Sequence, residues 1–77
     1  RILKFVSAED AFRNRLIPID EVEEVLLVVF VDPSNVTAIE ALAEKTGKRI
    51  QVFVGLETEV MQVVKRLYRL DDSGAPR

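Results

Sequence analysis

Seven apolar residues run without interruption from Val25 to Val31, the longest such stretch in the chain, and β-branched valines dominate it. A strand covered on both faces reads this way. Asp32-Pro33 ends it, and Asn35, or Ser34, is placed to cap the helix that follows. Val36, Ile39, Leu42 and Ala43 recur at helical spacing, with Glu40, Glu44 and Lys45 on the polar side. Thr46-Gly47 stops this helix, because glycine suits the left-handed position just past a helix end. Ile50, Val52 and Val54 then alternate as a strand that Gly55 ends. Strand, helix and strand in this order predict a βαβ unit, with parallel strands and a right-handed crossover.

The flanks add three elements. Ser7 can cap a first helix carrying Ala8, Ala11, Phe12 and Leu16 on one face, which must stop before Pro18. Ile17-Pro18-Ile19 reads as a short edge segment, where a missing N–H does little harm. Asp20-Glu21-Val22-Glu23-Glu24 holds neither Gly nor Asn, which predicts a loose hairpin. After Gly55, Val60, Val63, Val64, Leu67 and Tyr68 follow the amphipathic helical pattern, with Glu57 and Glu59 in the first turn. The expected fold is a small α/β, α+β-like domain: a three-stranded mixed sheet in the order helix, strand, strand, helix, strand, helix. Residues 1–70 form the domain, and 71–77 have the composition of a linker or tail.

With 77 residues the chain makes one small domain, and its 48% hydrophobic and 31% charged residues are a globular balance. With Arg1 in place of an initiating Met, it reads as a piece of a longer protein. The apolar run is too short to span a bilayer, and no signal-peptide pattern is present, so direct membrane insertion is not expected. The sequence holds no Cys and no His. Zinc sites, thiol chemistry and Ser-His or Cys-His catalysis are therefore excluded within it, and the lack of Cys fits a reducing compartment. A net charge of −2 argues against a nucleic-acid partner.

Residues with chemical potential each have a plainer reading. Thr46-Gly47-Lys48 resembles part of a phosphate-binding loop, but Leu42 stands where the first Gly is needed and Arg49 where Ser or Thr is needed. Asp20, Glu21, Glu23 and Glu24 lack the spacing of a calcium loop and read as a solvated hairpin. Asp32 lies at the carboxyl end of a buried strand, where α/β folds place ligands, but turn geometry explains it better. Arg13 and Arg15 on the first helix, and Lys65, Arg66 and Arg69 on the last, are candidates for an acidic partner. Phe53 is either an exposed anchor or a residue buried under a helix. No catalytic, cofactor-binding or metal-binding residue is expected.

Taken in order, Ile17-Pro18-Ile19, Asp32-Pro33, Asn35, Ala38, Leu42, Thr46-Gly47, Val54, Val60, Val64 and Tyr68 resemble the N-terminal domain of bacterial type II secretion and type IV pilus assembly ATPases. The resemblance covers about residues 5–69. Its structural signature here is Pro18, Asp32, Pro33, Asn35, Gly47 and Tyr68. The chain departs from the pattern at Glu23 or Glu24, where Gly is common in the hairpin. It departs again at Val29-Phe30-Val31, where small residues are favoured, and at Leu56, where a Ser cap is usual.

The resemblance implies a non-catalytic docking or regulatory domain, with ATP bound only by a downstream motor domain. The implied partners are the cytoplasmic part of an inner-membrane platform protein and neighbouring domains of the parent chain. The implied location is cytoplasmic, at the inner face of that membrane. Some relatives sense cyclic di-GMP through Arg-Leu-Gly motifs, which makes a second-messenger module the alternative. No Arg-Leu-Gly occurs in this sequence, so that role transfers to no residue here. A third possibility is the same fold attached to a different signalling protein.

Overall fold

The computed structural model describes residues 2–77. A single 3-10 turn, Ile2–Phe5, precedes helix α1 (Ala8–Asn14). Strands β1 (Leu16–Val22) and β2 (Val25–Phe30) follow, then helix α2 (Val36–Thr46), strand β3 (Arg49–Val54) and helix α3 (Glu57–Leu67). The sheet order is β1-β2-β3, with β1 antiparallel and β3 parallel to the central β2. The small α+β architecture expected from the sequence is the one observed, with three helices on a mixed sheet.

Local chemistry sets the element ends. Ser7 accepts a hydrogen bond from the Asp10 N–H at 3.1 Å and caps α1. Arg15, in a left-handed conformation, turns the chain into β1. Asn35, not Ser34, caps α2 by accepting from the Ala38 N–H at 3.2 Å. Gly47 ends α2 at φ 72°, donating to the Ala43 carbonyl at 2.9 Å. Leu56 stands at the start of α3 and supplies no side-chain cap.

The strand alternation of β2 sorts the sheet into two faces. Leu26, Val28 and Phe30 are wholly buried on one, paired with Pro18 and Leu16 across β1 and with Ile50, Val52 and Val54 along β3. This face is roofed by α2, whose Leu42 is buried, and by Phe5 and Val6. The other face carries Ile17, Val29 and Phe53, and α3 lies over its β1 side, with Val60 and Val64 buried. A Cβ on Gly55 would come within 2.7 Å of the Val29 side chain and 2.8 Å of Val60, so glycine is what lets β3 turn into α3 at this distance.

Several expectations are corrected. The hairpin is tight, not loose: β1 extends to Val22, which pairs with Val25, and the acids Asp20 and Glu21 lie within the strand. The two-residue turn is made by Glu23 at φ 55°, a non-glycine in the left-handed region, followed by Glu24. A bulge between Pro18 and Asp20 absorbs the proline that cannot donate to the ladder. Val25–Val31 is not covered on both sides, since Val25, Leu27 and Val29 are only half-buried and Val31 falls outside β2. Leu16 opens β1 and does not extend the α1 face. Val36 and Leu67, assigned to buried stripes, are 54% and 45% exposed. Beyond α3 the chain folds back: Leu70 bridges to Pro76, and Gly74 packs on the Phe12 ring. Asp71 holds this turn by accepting from Ser73 and Ala75.

Candidate docking surfaces

The Asp32-Pro33-Ser34-Asn35 joint works by hydrogen bonding. Asp32 Oδ1 accepts from the Ser34 N–H at 3.0 Å and from its hydroxyl at 2.6 Å. The Ser34 hydroxyl is the main reason the Asp32 carboxyl titrates below its ordinary range. Both oxygen bonds serve the turn, and the carboxylate stays exposed at the strand end. Of the other signature residues, Pro18 is fully buried at the bulge and Gly47 closes α2. Tyr68 ties the two ends of the domain together, its hydroxyl donating to the Val6 carbonyl at 2.9 Å. Burial pushes the Tyr68 hydroxyl up to about 12.

Lys48, which the sequence offers as part of an incomplete phosphate-loop pattern, is a structural joint. Its side chain is 17% exposed. Its ammonium sits 2.8 Å from Glu21 Oε2, donates to the Glu23 carbonyl at 3.2 Å and lies 5.6 Å from the Phe5 ring. One cation therefore holds the hairpin, the start of β3 and the 3-10 turn together. The hydrogen bond from Lys48 keeps the Glu21 carboxyl below its ordinary range. No local pattern signals this joint, since Lys48 lies 25 residues from Glu23 in the sequence.

The five candidate cations do not gather into one cluster. Arg13 reaches Asp10 at 2.7 Å and Glu9 at 3.4 Å within its own helix. Arg15 crosses from α1 to Glu57 of α3 at 2.8 Å, and Lys65 pairs with Asp72 at 3.1 Å. Arg15 and Lys65 line one α1–α3 cleft with Phe12 and Met61, where Glu57 and Asp72 balance them. Arg66 and Arg69 are exposed around the C-terminal turn. Exposed pairs of this kind contribute little stability. Among the described residues, no group of three or more Asp, Glu, His or Cys side chains is placed to hold a metal ion.

A groove of about 320 Å³ lies between α1 and α2. Val6, Leu16 and Leu42 form its buried floor, and Ala38 and Ala41 leave its α2 wall low. Asp10 and Arg13 border it on α1, and Lys45 borders it on α2. Lys45 lies 3.6 Å from Asp10, a long ion pair that spans the groove. The sequence reading placed Lys45 on the solvated face of α2, where its side chain is 62% exposed. Its position opposite Arg13 depends on how the sheet places two helices that do not follow one another in the chain. A separate apolar area lies where the parallel strands end, with Val54 67% and Leu56 69% exposed. Phe53 is 43% exposed and so is not buried under a helix.

These features match a known domain. Residues 1–74 match the MshEN domain, and the chain belongs to that family. It is 31% identical over 67 residues to the type IV pilus assembly ATPase PilB of Myxococcus xanthus (strain DK1622), a match that covers 87% of this chain and 12% of PilB. It also superimposes on the N-terminal domain of XpsE, with a TM-score of 0.77 and 26% identity over 84% of this chain and 44% of that one. The chain thus spans about one-eighth of the pilus ATPase it matches and less than half of the XpsE domain. The resemblance to the N-terminal domains of secretion and pilus ATPases, read first from the ordered signature, is the one the comparisons return. No helix is long and apolar enough to cross a membrane among the described residues.

Proposed function

We propose that the chain is a non-catalytic docking domain of a type II secretion or type IV pilus assembly ATPase. In this reading it holds the motor on the cytoplasmic part of an inner-membrane platform protein. ATP binds elsewhere in the parent, in a downstream motor domain, and this segment needs no cofactor of its own. The observation that carries the reading is the match of nearly the whole chain to segments of two such machines. The site chemistry supports it: the candidate cations are engaged with neighbouring acids or spread over separate surfaces, and Asp32 is committed to its turn.

The test is deletion of residues 1–77 from the full-length ATPase in its host. Recovery of the ATPase with the membrane fraction should fall, while basal ATP hydrolysis by the purified remainder persists. Unchanged membrane recovery would overturn the proposal.

A further inference from the structure

We infer that the α1–α2 groove is the docking face and that its occupant is an amphipathic helix of a partner protein, presenting apolar side chains followed by an acidic one. The inference rests on the docking reading and specifies its surface. Size and lining come first. The groove has a buried apolar floor of Val6, Leu16 and Leu42, yet it opens between two helices with exposed residues on its bank. Ala38 and Ala41 stand one turn apart on α2, so a second helix can approach this wall closely. Packing helix side chains into such a cleft is a recurrent mode of peptide recognition.

Charge selects the occupant. Arg13 and Lys45 line the groove with Asp10, Glu9 stands just outside it, and both acids are already engaged, Asp10 by the two cations and Glu9 by Arg13. Arg13 is held by Asp10 and Glu9, but Lys45 has only its 3.6 Å contact across the groove. An incoming carboxylate takes over Lys45 at closer range, and the helix that bears it displaces water from the apolar floor. A basic helix meets Lys45 and finds both nearby acids already paired, so charge sets specificity here more than affinity.

Membrane recovery of the full-length ATPase separates this inference from the reading beneath it. Ala41→Arg places a long side chain over the groove, and Lys45→Glu reverses the rim. Both positions are exposed, so both variants should fold: Ala41→Arg should leave the thermal midpoint of the 77-residue chain unchanged, and Lys45→Glu should lower it only slightly, through the lost Asp10 contact and an acid in the last turn of α2. Each should reduce membrane recovery roughly tenfold, while Lys45→Arg and Gln62→Arg, the latter on α3, retain it. If deletion of residues 1–77 abolishes recovery but Ala41→Arg and Lys45→Glu do not, the groove is overturned and docking through another surface stands. If Ala41→Arg acts and Lys45→Glu does not, the acidic partner is overturned. If deletion itself has no effect, the docking reading fails and the inference with it. A photoreactive residue at position 41 should crosslink to a helix bearing an acid beside apolar residues. A product on a strand, or on a helix without an acid, overturns the assignment.

Discussion

The two faces of the sheet are built from the same kinds of residue and end in different states. On one face Leu26, Val28 and Phe30 are wholly buried beneath α2 and the 3-10 turn. On the other, Val25, Leu27 and Val29 stay half-exposed because α3 covers the β1 side and leaves the β3 side open, with Phe53 at its margin. Hydrophobicity is therefore nearly equal along β2, but its stabilising contribution is not, since only area removed from water counts. A domain of this length has a total stability of roughly 4–12 kcal/mol, so the closed face must supply most of it.

The largest effect expected is from Phe30→Ala, which should cost about 3–5 kcal/mol by leaving a cavity in the closed face. Phe53→Ala on the open face should cost about 1 kcal/mol. Urea denaturation followed by circular dichroism measures both, and equal losses would break the contrast between the faces. Gly55→Ala should come next, at about 1–3 kcal/mol, because its methyl meets Val29 and Val60. In a Val29→Ala background the same change should cost less, and a purely additive double mutant would show that the α3 face is not closely packed at this point.

Tyr68→Phe should cost about 1 kcal/mol through loss of the bond to the Val6 carbonyl. Its pH dependence has a definite sign. The folded hydroxyl titrates at about 12, above the value near 10 of the free side chain. Between those values the folded state holds a proton that the unfolded state releases, so stability is full below pH 10 and falls as pH rises toward 12. Tyr68→Phe should flatten that alkaline slope, read as the urea midpoint against pH. The smallest effect has the opposite direction. Glu23→Gly should raise stability by about 0.5–1 kcal/mol, because glycine adopts the left-handed turn conformation without strain. A loss would mean that the Glu23 side chain contributes to the hairpin.

Much of the fold was legible because local chemistry and periodicity coincide. Ser7, Asn35 and Gly47 sit where their capping chemistry places them, and β2-α2-β3 follows from the spacing of Val25–Gly55. The hairpin was misread because its turn uses Glu23 in a conformation that usually asks for Gly or Asn. The Lys48–Glu21 and Tyr68–Val6 contacts link residues far apart in sequence, and no periodicity reports such pairs. For the candidate site, the sequence offers Arg13 only as a candidate for an acidic partner, and its placement across a groove from Lys45 is not legible there.

By itself, then, the sequence determined the element types, the parallel βαβ unit, the exclusion of Cys and His chemistry, and the ordered signature of the MshEN family. Those depend on neighbours within a few residues and on which side chains are present at all. Tertiary structure alone decided which sheet face is closed, that 71–77 folds back on Phe12, and that α1 and α2 leave a groove with cations on both banks. The physical reason is that burial and charge pairing are properties of surfaces brought together by folding, and one strand pattern is compatible with a covered face or an open one.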